Sequence, residues 1–300
     1  MWMYLFLLFF MLAMIVFIIL ILAVQNKQYK KTGYYEQTNY SYLSVLLNKG
    51  RLGEFYTYKY LEPLTGYGRY LFNLYIPKEN GETTEIDVVL LHESGIYVLE
   101  SKNYSGWIFG NESQKNWTQT LAVGRGRSQK NKFFNPILQN KGHIKWLQTF
   151  LADQSLPFYS YIVFSDRCTL KKITMTSDDH KVVKRCDLLS AVRQNVAKTG
   201  IRLSQGKIDN LFEKLYPLTQ LGEAGKVAHI QTIQQKTQKS FSQSVPIAAK
   251  IPKVEEPLCP RCGRKLVLRT ARKGERQGKQ FLGCSGYPKC RYIKDLEDGS

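Results

Sequence analysis

The sequence predicts an α/β protein built on one mixed β-sheet flanked by helices, with an apolar helix before it and a small cysteine-containing ribbon after it. Three observations support this fold class. Residues 45–221 alternate helix-like and strand-like segments, the first 24 residues are almost entirely apolar, and four of the six cysteines form two pairs near the C-terminus. A chain of 300 residues has room for two domains.

The chain is strongly basic, with a formal net charge of +19 at pH 7. An excess of this size favours a polyanionic partner, either nucleic acid or an anionic membrane surface. Solubility is the alternative explanation, but the positive charge is concentrated in particular segments. The sequence divides into an anchor (1–24), a juxtamembrane connector (25–44), a main domain (45–221), a flexible linker (222–256) and a ribbon (257–295).

Residues 1–24 predict a membrane-spanning helix, because a helix rises ~1.5 Å per residue and the hydrocarbon core is about 30 Å thick. No basic segment precedes the apolar run, as it would in a cleaved signal peptide, so an uncleaved anchor is favoured. Lys27, Lys30 and Lys31 follow it directly. By the positive-inside rule, these lysines and the bulk of the chain lie in the cytoplasm of a single-pass membrane protein.

The main domain begins with a helix over residues 49–61, in which apolar side chains recur at helical spacing. This helix ends near Pro63 and carries Glu54. By itself, Glu54 is also explained as a solvated charge on a helix surface. Residues 67–76 then predict a first strand, because they are rich in tyrosine, leucine and isoleucine.

Two β-rich segments, 84–91 and 96–103, predict the central hairpin, with residues 92–95 as its turn. Both faces of this hairpin carry apolar residues, which indicates a sheet covered on both sides. A four-residue turn places Leu91 opposite Ile96, and this register fixes every other pair on the two strands.

In this register Asp87 faces Glu100, and Lys102 lies on the same face as Glu100 because side chains alternate along a strand. Opposed like charges repel, so the arrangement requires a neutralising partner. A divalent cation, Mg²⁺ or Mn²⁺, would be held well by two carboxylates, with Lys102 placed to neutralise a phosphate or position a water. The alternative is an ordinary ion-pair cluster.

Short strands are predicted over residues 107–110 and 117–121. Residues 122–134 follow as a basic, glycine-containing loop. Such a loop fits phosphate contacts, and a mobile surface loop is an equal alternative.

A helix starts at Asn135-Pro136, since proline suits the first turn of a helix, and its apolar stripe continues to Leu151. Gln139 is a candidate polar contact to the site. His143 is assigned to the helix surface rather than to a set of ligands. A buried strand over residues 157–166 and helices over 187–195 and 207–215 complete the domain.

The C-terminal cysteines predict a zinc ribbon. Cys259 and Cys262 are separated by two residues, 21 residues follow, and Cys284 and Cys290 are separated by five. Two cysteine pairs around a strand-like hairpin are typical of a four-thiolate structural Zn²⁺ site in a reducing compartment. Such a small module depends on the metal for much of its folding free energy.

The ribbon is also basic and aromatic. Between Cys259 and Lys294 there are eleven lysines and arginines against one glutamate, interleaved with Phe281, Tyr287 and Tyr292. This combination suits phosphate contacts and base stacking on single-stranded or duplex nucleic acid. Protein contacts are the alternative.

Four segments resemble the nuclease-related domain, known as NERD: Gly50-Arg-Leu-Gly-Glu54, Glu85-Ile-Asp87, Glu100-Ser-Lys102 and Asn135-Pro136 through Asn140. That family is similar to the PD-(D/E)xK nucleases, which implies a restriction-endonuclease-like core. The resemblance implies that Glu54 is the helix acid, Asp87 and Glu100 the metal ligands and Lys102 the catalytic lysine. Ile86 stands where the superfamily name places proline.

The ribbon resembles the four-cysteine zinc fingers of bacterial type IA topoisomerases, which implies DNA binding. The two resemblances together predict a membrane-anchored, metal-dependent DNA nuclease. The alternative is a non-catalytic protein that tethers DNA to the membrane. A membrane-surface sensor that binds lipid head groups is a weaker interpretation, because most basic residues are far from the anchor in sequence.

Overall fold

The computed structural model describes residues 2–124, 126–220, 258–270 and 280–295. The chain divides into two compact units, residues 1–234 and 235–300. The predicted linker at 222–256 lies outside the described residues. The mixed α/β fold class is confirmed, with helices on both sides of a sheet, an apolar helix at the N-terminus and a cysteine cluster at the C-terminus.

Helix α1 spans Trp2–Tyr29 and is long and apolar enough to cross a membrane, with a mean hydropathy of 3.4 over 18 residues. The side chains of residues 2–24 lie on the outside of the unit. The helix does not end with the apolar run. It continues for about one more turn to Tyr29, which is buried in the main unit.

Residues 25–44 are more structured than a plain connector. Helix α2 spans Gly33–Thr38 and helix α3 spans Tyr42–Leu47. Thr32 and Ser41 cap them, each accepting a hydrogen bond from the backbone N–H three residues later. These helices are too short to show a hydrophobic period, so the sequence reasoning missed them.

The main sheet has five strands in the order β1-β2-β3-β7-β9. The strands are β1 (Gly68–Pro77), β2 (Thr83–His92), β3 (Gly95–Lys102), β7 (Phe158–Phe164) and β9 (His180–Lys184). The first three are antiparallel, and β3, β7 and β9 are parallel. The sheet is therefore mixed, as predicted.

The register of the central hairpin is confirmed from the Leu91–Ile96 pair to the Val88–Leu99 pair, but the ladder ends there and the predicted pair of Asp87 with Glu100 is not formed. The turn is tighter than predicted, because His92 and Gly95 also pair and leave two residues between them. This change does not alter the register, since it adds one pair at the closed end.

Helices cover both faces of the main sheet. Helices α5 (Pro136–Leu151) and α7 (Gln205–Leu215) pack on one face. Helices α4 (Lys49–Leu61) and α6 (Arg185–Thr199) pack on the other, together with α2, α3 and the end of α1. A short 3₁₀ helix, Tyr216–Thr219, follows α7.

A second sheet, with the order β6-β5-β4-β8, corrects the prediction of a single sheet. Its strands are β4 (Gly106–Asn111), β5 (Asn116–Ala122), β6 (Ser128–Phe134) and β8 (Cys168–Thr174). The prediction of a loop over residues 122–134 is wrong for its second half, which forms β6. This edge strand is largely exposed and polar, so it lacks the apolar alternation that marks a strand.

The C-terminal unit is a three-stranded antiparallel sheet. Its strands are β10 (Leu266–Thr270), β11 (Gln280–Cys284) and β12 (Ile293–Asp295). The predicted basic turn between the first two strands, residues 271–279, lies outside the described residues. Cys259, Leu266 and Cys284 form its small buried cluster.

Candidate active site

Asp87 lies where the pairing of β2 with both neighbouring strands is interrupted. The ladder with β3 runs from the turn only as far as the pair of Val88 with Leu99, so Asp87 is the first unpaired residue of β2 on that side. The backbone N–H of Ser101 donates to Asp87 Oδ2 at 2.8 Å instead. On the other side of β2, Asn73 of β1 has a left-handed backbone with φ 51°. It does not pair with Asp87, although the residues before and after it pair with the neighbours of Asp87. Asparagine tolerates this conformation better than most residues. The carboxylate thus lies at an opening in the sheet.

Glu100 and Lys102 project from the end of β3 on one face, as the alternation predicts. The Glu100 side chain is buried, and its Oε1 lies 2.6 Å from Lys102 Nζ. Lys102 Nζ also donates to Gln139 Oε1 of α5 at 3.0 Å. The structure therefore brings Gln139 to the hairpin acids, where it holds the ammonium group in place.

His143 corrects the expectation of a helix-surface residue, since it is buried one turn after Gln139. Its Nδ1 shares a hydrogen bond with Thr84 Oγ1 at 2.8 Å. Its Nε2 lies 3.2 Å from Glu100 Oε2, and neither of those two atoms has another partner among the described residues. His143 therefore orients the Glu100 carboxylate from the side opposite Lys102.

Glu54 lies on α4, which packs closely on the end of the hairpin. A Cβ atom at Gly53 would lie 2.9 Å from Ser101 Oγ, so glycine permits this close approach. Glu54 is buried, and its Oε2 accepts a hydrogen bond from Tyr34 of α2 at 3.0 Å. The Asn73 side chain also hydrogen-bonds to Glu54.

The acids of the site affect one another electrostatically. Burial raises the pKa of Asp87 well above its usual range, and the negative charges of Glu100 and Glu54 raise it further. Burial alone would also raise the pKa of Glu100, but Lys102 and His143 outweigh it and lower that pKa to about 2. Burial raises the pKa of Glu54 to about 7, with a further contribution from Glu85.

Lys102 is placed to remain an ammonium ion at neutral pH. Burial by itself would lower its pKa, but the negative charges of Glu100 and Asp87 raise it overall. A protonated amine cannot accept a proton. This state suits Lys102 to stabilising negative charge or orienting a water.

The carboxylates fit a divalent cation. Glu100 Oε2 is a buried oxygen whose nearby polar group is His143 Nε2 at 3.2 Å, and the repulsion of Asp87 by its acidic neighbours is only partly offset by Lys102 and the Ser101 N–H. Two carboxylates with added waters and phosphate oxygens are a common environment for Mg²⁺. Asp87 and Glu100 would hold the ion, and Glu54 would support its water shell.

In the ribbon, Cys259, Cys262, Cys284 and Cys290 bring their Sγ atoms within 4.8 Å of one another. This is the donor set of a tetrahedral structural Zn²⁺ site. The Gly286 N–H donates to Cys284 Sγ at 3.3 Å. Beside this cluster, Arg269 lies 5.8 Å from the centre of the Tyr287 ring, which is 60% exposed.

The structure gathers every predicted residue of the hairpin site: Glu54, Asp87, Glu100, Lys102 and Gln139. Asn73, His143 and Tyr34 were missed. No local pattern marks them, because each reaches the site from a separate element. The one available signal was the position of His143, one helical turn after Gln139 on the same helix face.

Two family profiles match the chain. The profile of the nuclease-related domain matches residues 49–165, and that of the topoisomerase DNA binding C4 zinc finger matches residues 256–299. An uncharacterized protein of Bacillus anthracis is 30% identical over 192 residues, which is 64% of this chain and 86% of that protein.

Two further relatives match shorter parts of the chain. DNA topoisomerase 1 of Helicobacter pylori strain J99 is 34% identical over 101 residues, or 33% of this chain, and the chain covers only 11% of that enzyme. The uncharacterized protein YrdD of Escherichia coli is 43% identical over 42 residues, or 14% of this chain and 21% of that protein. No solved structure matches the chain.

Proposed function

This chain belongs to the nuclease-related domain family, and from that premise we propose that it is a membrane-anchored, metal-dependent nuclease that hydrolyses DNA phosphodiesters. The observation that carries the proposal is the contact of Lys102 with Glu100 beside Asp87, in a sheet opened at that point. A purely structural ion pair does not require a second, repelled carboxylate next to it.

Hydrolysis requires that a water oxygen bond to phosphorus while the bond from phosphorus to the leaving sugar oxygen breaks. A divalent cation held by Asp87 and Glu100 would supply charge stabilisation and a more acidic bound water. The Lys102 ammonium stabilises the negative charge that develops on the phosphoryl oxygens. Gln139 and His143 hold Lys102 and Glu100 in position from α5.

Strand β6 extends a basic surface toward the site. Lys130 and Lys132 are exposed on it, and the ring of Phe133, the residue before the last one of the strand, lies 4.8 Å from that of Tyr104. Tyr104 follows Lys102 by two residues. Phosphates bound along β6 would thus lead toward the carboxylates, and the zinc ribbon would add affinity for DNA through its own basic and aromatic residues.

The test is a cleavage assay on the full chain in nanodiscs with linear, circular and single-stranded DNA, in Mg²⁺, Mn²⁺ or EDTA. Glu100→Gln should lower the cleavage rate about 100-fold or more because it weakens the metal site, and Lys102→Met should do the same because it removes a positive charge that stabilises the transition state. DNA binding should remain, since the ribbon and β6 are unchanged.

Matched controls come from the exposed ion pair of Lys59, in the last turn of α4, and Glu62, the residue that caps its C-terminus. Glu62→Gln and Lys59→Met make the same chemical changes outside the site and should leave cleavage unchanged. Undiminished metal-dependent cleavage by both site variants would refute the proposal. DNA binding without cleavage under every metal condition would favour the tethering function instead.

A further inference from the structure

The surface beside the end of α1 carries exposed apolar side chains that the fold leaves uncovered. Leu47 of α3 is 78% exposed, and Leu43, one helical turn earlier, is 60% exposed. Among the described residues after α1, Leu47 and Ile201 are the most exposed large apolar side chains. Leu43 and Leu47 share one face of α3, because residues four apart are neighbours on a helix.

The opposite face of α3 is packed into the main unit. Val45 is fully buried in the cluster that also contains Tyr29 and Phe55. Helix α3 is therefore a short amphipathic helix whose apolar outer face has no protein partner among the described residues. Covering that face requires an apolar phase or another molecule.

The position of α3 relative to the end of α1 is set by contacts between the two helices. The Tyr42 hydroxyl donates to Gln25 Oε1 at 3.1 Å, and the Tyr42 and Tyr29 rings lie 5.2 Å apart. Gln25 is the first polar residue after the apolar run that ends at Val24. If α1 spans a bilayer, Gln25 lies at the membrane–water interface, where tyrosine is also favoured. Tyr42 therefore holds the start of α3 at that level.

The charges around α3 suit the same position. Lys27, Lys30, Lys31 and Lys49 are all exposed on the segments that flank it. Lysines at the rim of an apolar surface reach lipid phosphates while their neighbours enter the acyl region. A helix that lies in a membrane interface typically has these three features: an apolar outer face, a tyrosine at the interface and a rim of basic residues.

From these contacts we infer that α3 is a second membrane contact, with Leu43 and Leu47 inserted into the bilayer interface, so that the nuclease unit is seated on the membrane. The inference rests on the anchor in the proposed function. The end of α1 is embedded in the unit through Tyr29, whose hydroxyl donates to the Tyr40 carbonyl at 2.9 Å. The end of the anchor helix is therefore itself part of the main unit, and no separate linker joins the two.

This seating places the candidate active site at the membrane side of the unit. Only Asn48 separates α3 from α4, and the Asn103 side chain donates to the Lys49 carbonyl at 2.8 Å. Asn103 follows Lys102 directly, so the open end of the hairpin, which carries the acids, is the end nearest α3. Nucleic acid at the membrane surface would reach the site most readily.

The test uses the full chain in vesicles of phosphatidylcholine and phosphatidylglycerol. The photoreactive residue p-benzoylphenylalanine replaces one residue at a time: Leu43, Leu47, Leu12 within α1, or Ile201. Ile201 is the matched control, because it is 75% exposed and lies beside the residues that bond Glu93 at the closed end of the hairpin. Cross-links to lipid are measured after illumination.

We expect lipid cross-links at Leu12, Leu43 and Leu47, with yields at the two α3 positions several-fold above that at Ile201. Cross-links at Leu12 but only the Ile201 yield at Leu43 and Leu47 would overturn the inference and leave the anchor intact. Failure at Leu12 would overturn the anchor, and the seating of α3 with it. The cleavage assay decides catalysis separately.

Discussion

The residues of the candidate site are held by contacts from both sides of the sheet. Asp87 and Glu100 lie on two strands of one hairpin, Gln139 and His143 reach them from α5, and Glu54 comes from α4. Each acid has a different electrostatic environment, so their pKa values differ. Glu100 remains ionised, whereas the pKa of Glu54 is raised into the physiological range.

The raised pKa of Glu54 predicts a dependence of stability on pH in the absence of divalent metal. The folded state binds a proton more tightly than the unfolded state, in which a glutamate has a pKa near 4.5. Stability from this group is therefore fully present below about pH 4.5 and is lost as the pH rises through about 7. Glu54→Gln cannot ionise and lacks this loss.

The measurement is thermal unfolding in EDTA at pH 5 and pH 7.5. A shift of this size corresponds to roughly 2–3 kcal/mol, so the midpoint should drop by roughly 5–10 °C less in the variant than in the unmodified chain. Asp87, whose pKa is also raised, leaves some pH dependence in both. Glu62→Gln, at an exposed position directly after the end of the same helix, is the control and should behave as the unmodified chain. Equal pH slopes for Glu54→Gln and the unmodified chain would contradict the expectation.

At the scale of elements, the second sheet is joined to the main sheet through an aromatic contact. Trp117 of β5 is buried and stacks on Phe164 of β7 with an interplanar angle of 4°. Gly110 of β4 lies against the same indole, and a Cβ atom there would be 2.2 Å from the ring. The close approach of β4 to Trp117 therefore depends on glycine.

Gly110→Ala should destabilise the main unit by about 2–4 kcal/mol, because a buried tryptophan has little room to move in a packed core. Gly142→Ala in α5 is the matched control. Nothing lies within 4 Å of a Cβ atom there, so alanine should stabilise the helix by about 0.5–1 kcal/mol. Chemical denaturation monitored by tryptophan fluorescence measures both. Equal stability of the two variants would exclude the packing role given to Gly110.

At the scale of the whole molecule, the chain combines two compact units with separate sources of stability. The main unit has apolar cores on both faces of a five-stranded sheet, whereas the ribbon has a three-residue buried cluster around four thiols. A core that small cannot offset the conformational entropy of folding without the metal. Zinc is thus expected to stabilise the fold of the ribbon and not that of the main unit.

Cys284→Ser should abolish zinc binding by the ribbon and lower DNA affinity at least about tenfold, since one missing thiolate breaks the tetrahedral set. The unfolding midpoint of the main unit should not change. Zinc content, DNA affinity and thermal unfolding are the measurements, and Cys186→Ser is the control because Cys186 is exposed and outside the ribbon. Unchanged DNA affinity without zinc would show that the ribbon is not the DNA-binding module.

What the sequence determined by itself is local. The register of the hairpin, the shared face of Glu100 and Lys102, and the spacing of the four cysteines all follow from strand alternation or from short sequence separations, where geometry leaves few choices. The two-faced burial of the main sheet was predictable for the same reason, because apolar residues lie on both faces of its strands.

Only the tertiary structure decided which distant residues complete the site and where α3 lies. His143 meets Glu100, and Tyr34 meets Glu54, because helices pack on opposite faces of the sheet at particular rotations. Those rotations depend on close contacts such as that of Gly53 with Ser101, which a sequence pattern does not specify. Polar edge strand β6 and the short helices α2 and α3 are likewise fixed by their neighbours, since their own sequences carry too little periodic signal.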